Sequence, residues 1–322
     1  MTLVTNAFTA FDSVGKREDL SDMIYDITPL DTPFTSGIAK TKATAVRHDW
    51  QTDALPARSA TAQLEGDTIT PSASSATTLV SNNTQIAYRS FAVTGTQETV
   101  DNAGRASEWA YQTMRNAETL KLDMETINLL NNAKVTGNTT TARELAGVPA
   151  WIATNVSAGS GATSPTGDGT DARQAGTARA FDESQLRSVV RQCWNSGGDP
   201  DWIMLSGTHK QKLSTFTGNA TRMKDANDKT LVTSIELYQS DFGDLQVFPN
   251  RYMSAVSATL SDDVDIALVL QKDMWAVASL RPMFFERLAK TGDAERGFVL
   301  AEWTLECRNE AANGIIADLN QA

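Results

Sequence analysis

Histidine, cysteine and long apolar runs are scarce in this sequence, and each scarcity argues against a class of protein. Two histidines among 322 residues leave little for an enzyme that uses imidazole as a base or a metal ligand. Two distant cysteines do not form a disulfide framework, so we expect synthesis in a reducing, cytosolic compartment. No run approaches the roughly 18 apolar residues of a membrane helix, and the first residues lack the pattern of a secretory signal. We therefore expect a soluble globular protein with no membrane partner.

Basic residues are outnumbered and scattered. The chain has 28 Lys and Arg against 39 Asp and Glu, a net charge of −11, and its longest basic run is Lys16–Arg17. Proteins that hold nucleic acid cluster Lys and Arg against the phosphates. The charge pattern argues against sequence-specific nucleic-acid binding, but it is compatible with a surface that lies near DNA without holding it.

The sequence predicts no catalytic, cofactor-binding or metal site. It contains no Gly-rich phosphate loop, no Gly-x-Ser-x-Gly turn and no His-Glu-x-x-His motif. His48 falls on a predicted strand and His209 in the first turn of a predicted helix, where surface or capping roles are expected. We therefore expect no enzyme activity and no cofactor.

Two other groups of reactive side chains also favour structural roles. Asp262, Asp263 and Asp265 lack the spacing of a calcium loop, which favours a solvated turn before a strand. Cys193 and Cys307 fall on predicted apolar faces and are expected in the core.

The longest periodic stretch runs from Gly104 to Ala133 and predicts one helix about 45 Å long. A mean helix has about 11–12 residues, so this one is expected to be a backbone against which other elements lie. Its predicted apolar face comprises Ala106, Ala110, Thr113, Ala117, Leu120, Met124, Ile127 and Leu130. Its predicted charged face comprises Glu108, Arg115, Glu118, Lys121 and Glu125.

The segment before this helix predicts an arm and a long hairpin. Pro29 and Pro33 favour extended geometry at Thr28 and Thr32, so residues 1 to about 37 are predicted to form a bent arm. This arm is either an ordered N-terminal extension or a segment that reaches a neighbouring subunit. From Lys40 to Val100, the alternation of Val46, His48 and Trp50 predicts one strand, and Gln85–Thr96 predicts the strand that returns and pairs with it. The nearly thirty residues between them predict a protruding loop covered by something else, with a disordered surface loop as the alternative.

After the long helix the pattern changes to that of a compact α+β unit. Ser157–Gly176 has the composition of a flexible loop. Asp182 and Gln185 form a predicted capping box for a helix that ends at Gly197, and Ser206 caps a second helix. The predicted strands are Pro200–Leu205, Leu231–Leu237, Leu245–Phe248 and Val264–Leu270.

The C-terminal part predicts two antiparallel strands joined by a turn at Thr291–Asp293. The first is Met274–Leu280. In the second, Val299–Cys307, apolar residues alternate with polar ones, and Glu302 and Glu306 are expected on its exposed face. This pair is expected to lie beside the long helix.

Three stretches resemble one subfamily of the major capsid proteins of tailed bacteriophages, which have the Hong Kong 97-type fold. They are YDITPLDTPF at Tyr25–Phe34, GGDPDWIMLSGTHKQKLSTF at Gly197–Phe216 and RPMFFERLAKTGDAERGFVLAEWTLECRNEAANG at Arg281–Gly314. The order of arm, loop, long helix, α+β unit and returning strands resembles the same family over nearly the whole chain.

The resemblance implies an α+β fold with four parts. An N-terminal arm covers 1–38 and an extended β-loop covers 39–100, which in this family lies over a neighbouring subunit. A peripheral domain with a β-sheet covers 101–155 and 272–311 and includes the spine helix, 104–133. An axial α+β domain covers 156–271 and 312–322.

The function implied is that of a major capsid protein that self-assembles into the icosahedral head around the DNA genome of a tailed bacteriophage. The implied partners are other copies in hexamers and pentamers, a separate scaffolding protein and a portal, and the family also allows a decoration protein. Assembly in the bacterial host cytoplasm and a final location in the virion follow from the same resemblance.

Two alternatives stay open on the residues alone. An encapsulin-like compartment shell has the same fold, and a neighbouring cargo gene would favour it over adjacent packaging and portal genes. A β-rich surface-binding protein would be a monomer or trimer with a ligand, which sizing of the purified protein would reveal.

Overall fold

The computed structural model describes residues 28–55, 60, 62–68, 76–102, 104–216, 236–253, 266–290 and 292–320. The strands are β1 (Ala39–Lys42), β2 (Arg47–Thr52), β3 (Thr78–Asn83), β4 (Gln85–Thr94), β5 (Asn155–Ser157), β6 (Trp202–Leu205), β7 (Leu237–Ser240), β8 (Gly243–Pro249), β9 (Ala267–Leu270), β10 (Trp275–Arg287), β11 (Ala294–Cys307) and β12 (Gly314–Ile316). The α-helices are α1 (Pro33–Gly37), α2 (Gly95–Thr99), α3 (Glu108–Leu129), α4 (Glu183–Asn195) and α5 (Gly207–Ser214). This mixture of helices and strands confirms the α+β class.

A four-stranded sheet of order β1-β10-β11-β4 packs against α3. Leu120 and Leu129 of the helix join the same buried core as Trp303 of β11. The Trp303 indole donates to Asn128 Oδ1 over 3.1 Å, and Arg89 of β4 pairs with Asp123 of α3 at 2.7 Å. The predicted packing of the two C-terminal strands beside the long helix is confirmed.

The long helix is shorter than the sequence pattern predicts. It has 22 residues rather than 30, which makes it about 33 Å long. It begins at Glu108 because the Ser107 hydroxyl accepts a hydrogen bond from the Ala110 N–H and so caps the first turn. It ends before Leu130, whose backbone is extended, and Gly137 lies in a later turn at φ +72°.

The predicted faces of this helix are correct only in part. Ala106 precedes the helix and Ala110 is exposed, whereas Glu108 and Glu125, which the sequence pattern assigns to the charged face, are buried. The Glu125 carboxylate accepts hydrogen bonds from the Phe34 N–H (2.9 Å) and the Thr35 N–H (2.8 Å). Glu125 is buried because it binds the N-terminus of α1, which favours a negative charge.

The predicted hairpin partner was also wrong. β2 pairs with β3, in a register that sets Arg47 opposite Asn83 and Thr52 opposite Thr78. Gln85–Thr94 does form a strand, but this strand pairs with β11, more than 200 residues along the chain. The alternation of residues identifies which residues form a strand. It does not identify the partner strand, because strand pairing depends on packing between distant parts of the chain.

A six-stranded sheet of order β5-β12-β9-β6-β8-β7 carries α4 and α5. The predicted capping box of Asp182 and Gln185 is present at the start of α4, and the Ser206 side chain caps α5. Leu231 to Ile235 of one predicted strand, and Val264 and Asp265 of another, lie outside the described residues. β12 brings the last part of the chain into this sheet between β5 and β9.

Buried Asp318 organises the loop that precedes α4. Its carboxylate accepts hydrogen bonds from the Gly159 N–H (2.7 Å) and the Gly176 N–H (2.9 Å) and forms an ion pair with the buried guanidinium of Arg173. Asp318 itself has φ +58°, in the left-handed region. The composition of Ser157–Gly176 therefore predicts a loop correctly, but one carboxylate fixes its two ends.

Candidate functional site

The β2–β3 hairpin is attached to the edge of the four-stranded sheet by polar side chains of β2. The Trp50 indole N–H donates to the Cys307 carbonyl over 2.8 Å, and its ring lies 5.5 Å from that of Trp151. His48 Nε2 lies 3.2 Å from Glu306 Oε2. His48 is thus on a strand, as predicted, but it contacts a carboxylate of another strand.

The β3 side of the hairpin is attached to three separate segments. Buried Asn82 donates to the Leu305 carbonyl (2.7 Å) and accepts from the Ala146 N–H (3.0 Å). Lys134 Nζ donates to the carbonyls of Ser81 (2.7 Å) and Asp168 (2.8 Å), and burial lowers the pKa of Lys134. These bonds fix the direction in which the hairpin leaves the molecule.

Glu302 and Glu306 are buried, so their predicted exposure on β11 was wrong. Glu302 accepts hydrogen bonds from Arg143 (2.8 Å), Arg281 (2.7 Å) and the Thr84 hydroxyl (3.0 Å). Since buried carboxylates require such partners, the polar face of β11 is an attachment surface for the chain around the hairpin. The partners of Glu302 come from distant segments of the chain. For this reason, the alternation of residues in β11 alone predicts that its polar face is exposed to solvent.

The connection between β2 and β3 extends beyond this attachment. Its described residues, 53–55, 60, 62–68 and 76–77, are all exposed, and they include Leu55 at 94% and Leu64 at 82% exposure. Leucine side chains in such positions forgo about 1.5–3 kcal/mol each of burial. The remainder of the connection, and with it part of the predicted protruding loop, lies outside the described residues.

Three of the residues considered for catalysis, His209, Cys193 and Cys307, are buried. Buried His209 has Nδ1 2.7 Å from Ser206 Oγ and Nε2 3.2 Å from the Asn320 carbonyl, so both ring nitrogens have partners. Burial raises the pKa of the Cys193 thiol to about 12 and that of Cys307 well above its usual value. Both cysteines are core residues, as predicted, and both thiols stay protonated.

Metal ligands do not converge in the part of the chain that the structure describes, where no three His, Cys, Asp or Glu side chains form a candidate metal group. Asp262, Asp263 and Asp265 lie outside that part. None of the described helices is long and apolar enough to cross a membrane.

The described chain combines an arm that packs against a long helix, a projecting hairpin and two sheets. This combination is that of a shell-forming subunit with the Hong Kong 97-type fold. The SU10 major capsid protein family matches residues 3–320, and the chain belongs to this family. The major capsid protein of Escherichia phage Phieco32 is 24% identical over 96% of this chain and 96% of its own length.

Solved structures show the same fold. The capsid of a native GTA particle has a TM-score of 0.62 and 12% identity, over 96% of this chain and 97% of that one. The holo-SrpI encapsulin complex from Synechococcus elongatus PCC 7942 has a TM-score of 0.54 and 10% identity, over 96% and 94%. The encapsulin alternative therefore shares the fold, whereas the family match supports the major capsid protein of a tailed phage, a structural component of the virion.

Proposed function

We propose that copies of this chain assemble into hexamers and pentamers that close an icosahedral shell around packaged DNA, with no catalytic activity of their own. The observation that supports this most is the anchored hairpin whose exposed leucines have no covering residue among the described parts of the same chain. Contacts between unlike patches of identical subunits build rings and closed shells. A net charge of −11 suits a container whose DNA stays mobile.

The partners and the place of assembly are part of the same proposal. The shell would form in the host cytoplasm with a separate scaffolding protein and a portal, and it would accept a decoration protein. In the subunit, the four-stranded sheet with α3 would be the peripheral domain, and the six-stranded sheet with α4 and α5 the axial domain. Because β4 belongs to the four-stranded sheet, β4 is better assigned to the peripheral domain than to the extended β-loop.

The proposal predicts that the loop is needed for assembly and not for folding. Replacing residues 53–77 by Asn-Gly joins Thr52 to Thr78, which already face each other, through a turn suited to a two-residue hairpin. A wider deletion over 57–84 would remove β3 and buried Asn82, so it would also damage the fold. We expect the short-loop protein to keep its melting temperature and to form no shells by electron microscopy.

A full-length loop of Gly and Ser is the matched control for loop length. The Gly/Ser-loop protein should also fold and fail to form shells, because it lacks the apolar side chains of Leu55 and Leu64. Intact shells from the Asn-Gly variant would contradict the proposed role of the loop.

A further inference from the structure

A cleft of about 520 Å³ lies between α4 and the β7–β8 hairpin of the six-stranded sheet. Arg187 and Arg191 of α4 line one wall, and Tyr238, Gln239 and Ser240 of β7 line the other. Pockets that bind ligands typically enclose about 300–1,000 Å³. We name this space the α4–β7 cleft, and its volume is sufficient for several side chains of a peptide segment.

The β7 strand has a free edge in the part of the chain that the structure describes. It is the last strand of its sheet and pairs only with β8. The Val247 N–H donates to the Glu236 carbonyl over 2.9 Å, so residues 236, 238 and 240 direct their backbone groups toward β8. The backbone groups of Leu237 and Gln239 therefore point to the free edge. Such an edge is a template for an added strand.

The helix and the hairpin run side by side along the cleft. Near the start of α4, Glu183 interacts with the Tyr238 hydroxyl, and near its end the ring of Trp194 lies 5.1 Å from that of Phe242. These two contacts are about 16 Å apart along the helix and about 13 Å apart along the hairpin. A strand added to β7 would therefore follow α4.

The spacing of the two arginines matches the period of such a strand. Arg187 and Arg191 are one helical turn apart, which separates their positions by about 6 Å along α4. Alternate residues of an extended strand are about 6.6 Å apart and point to the same face. Side chains at positions i and i+2 of an added strand would thus lie opposite the two guanidinium groups.

Both guanidinium groups are available to carboxylates. Arg191 is exposed and forms no hydrogen bond or ion pair among the described residues. Arg187 pairs with Asp241 at 3.3 Å, but these side chains are 62% and 78% exposed, and exposed pairs contribute little to stability. The other carboxylate of the lining, Glu183, lies two helical turns before Arg191. Carboxylates at alternate positions of a strand would bind the two arginines in the geometry that guanidinium groups favour.

Aromatic side chains border the same cleft. Trp194 is 54% exposed and packs against partly exposed Phe242. Trp, Tyr and Arg are the residue types that contribute most to binding at protein interfaces. The α4–β7 cleft brings all three types together beside a free strand edge, which is the composition of a peptide-binding site.

We propose that the α4–β7 cleft binds an extended acidic segment of a separate protein. The segment adds a strand to β7 and pairs carboxylates at alternate positions with Arg187 and Arg191. The outermost strands of the two larger sheets, β1, β4, β5 and β7, contain no Asp or Glu, so these edges of a second copy do not supply the carboxylates. This inference goes beyond the shell function, because it gives the six-stranded sheet a partner of its own.

Selection from a random peptide library tests the predicted chemistry. Displayed octapeptides are selected on the unassembled full-length protein, after removal of those that bind the double variant Arg187→Glu/Arg191→Glu. This variant should melt like the wild type because both side chains are exposed. The selected sequences should contain Asp or Glu at two alternate positions. A selection that enriches no such sequences would overturn the proposal.

The most enriched peptide, synthesised with a fluorescein label, measures the contribution of the arginines. Arg191→Ala should weaken its binding at least about tenfold, and Arg191→Lys should weaken it less, because lysine keeps the charge without the bidentate geometry. Arg115→Ala is the matched control, since Arg115 is an exposed arginine of α3 whose side chain forms no bond among the described residues. It should leave the affinity unchanged. Equal affinity of Arg191→Ala and the wild type would contradict the proposed contact.

Strand addition requires a separate measurement. Binding of the peptide should slow hydrogen exchange at the Leu237 and Gln239 amides. N-methylation of the peptide amides that face β7 should weaken binding at least about tenfold, although it leaves the charges unchanged. Slower exchange only in other segments would overturn the proposal. A free protein that is already dimeric, with these two amides protected, would assign the edge to a second copy and would also overturn it.

Discussion

Replacing Asp318 by alanine is expected to lower the free energy of unfolding by about 3–5 kcal/mol, because it removes the carboxylate of a buried ion pair. The Arg173 side chain is 1% exposed, and its charge would lose the opposite charge of Asp318. The N–H groups of Gly159 and Gly176 would lose their acceptor in the same step. Urea denaturation of the unassembled protein measures the loss.

Two further substitutions test this cause. Asp318→Asn keeps the size of the side chain and tolerates a positive φ, so it should be less damaging than alanine while still losing the charge. Asp241→Ala removes an ion pair with Arg187 in which both side chains are mostly exposed, and should cost no more than about 1 kcal/mol. Equal losses from Asp318→Ala and Asp241→Ala would show that burial of the pair has no energetic consequence.

Replacing Glu125 by glutamine is expected to cost about 2–3 kcal/mol and to loosen the arm. The carboxylate accepts from the Phe34 and Thr35 N–H groups and, over 2.7 Å, from the Asn250 amide. A glutamine offers one oxygen and turns an NH2 group toward the remaining donors. Hydrogen exchange should therefore accelerate at the amides of residues 34 and 35, together with a fall in the urea midpoint.

Glu118→Gln on the same helix is the matched control, since Glu118 is partly exposed and forms no hydrogen bond or ion pair among the described residues. Glu118→Gln should change neither the hydrogen exchange at residues 34 and 35 nor the urea midpoint. Unchanged exchange at residues 34 and 35 in Glu125→Gln would mean that the carboxylate does not hold the arm.

The features that the sequence predicted correctly depend on neighbouring residues. The capping box of α4 and the Ser206 cap of α5 each lie within four residues, and the alternation in β11 gave its apolar face. The motifs at Tyr25–Phe34, Gly197–Phe216 and Arg281–Gly314 indicated the family, which the match over residues 3–320 confirms.

The features that the sequence missed depend on contacts between distant segments. Glu125 looked like a residue of an exposed helix face because its partners lie about 90 and 125 positions away. The pairing of β4 with β11 and the burial of Glu302 have the same origin. The local sequence around a carboxylate does not show whether it is hydrated or accepts hydrogen bonds from the N–H groups of another segment.

We expect this chain to form the shell of a tailed-phage head. Cryo-electron microscopy of heads purified from infected host cells tests it most directly, combined with mass spectrometry of the shell protein. We expect the chain to occupy the hexamer and pentamer positions throughout the shell. A shell built from another protein, with this chain absent or confined to a few positions, would contradict it.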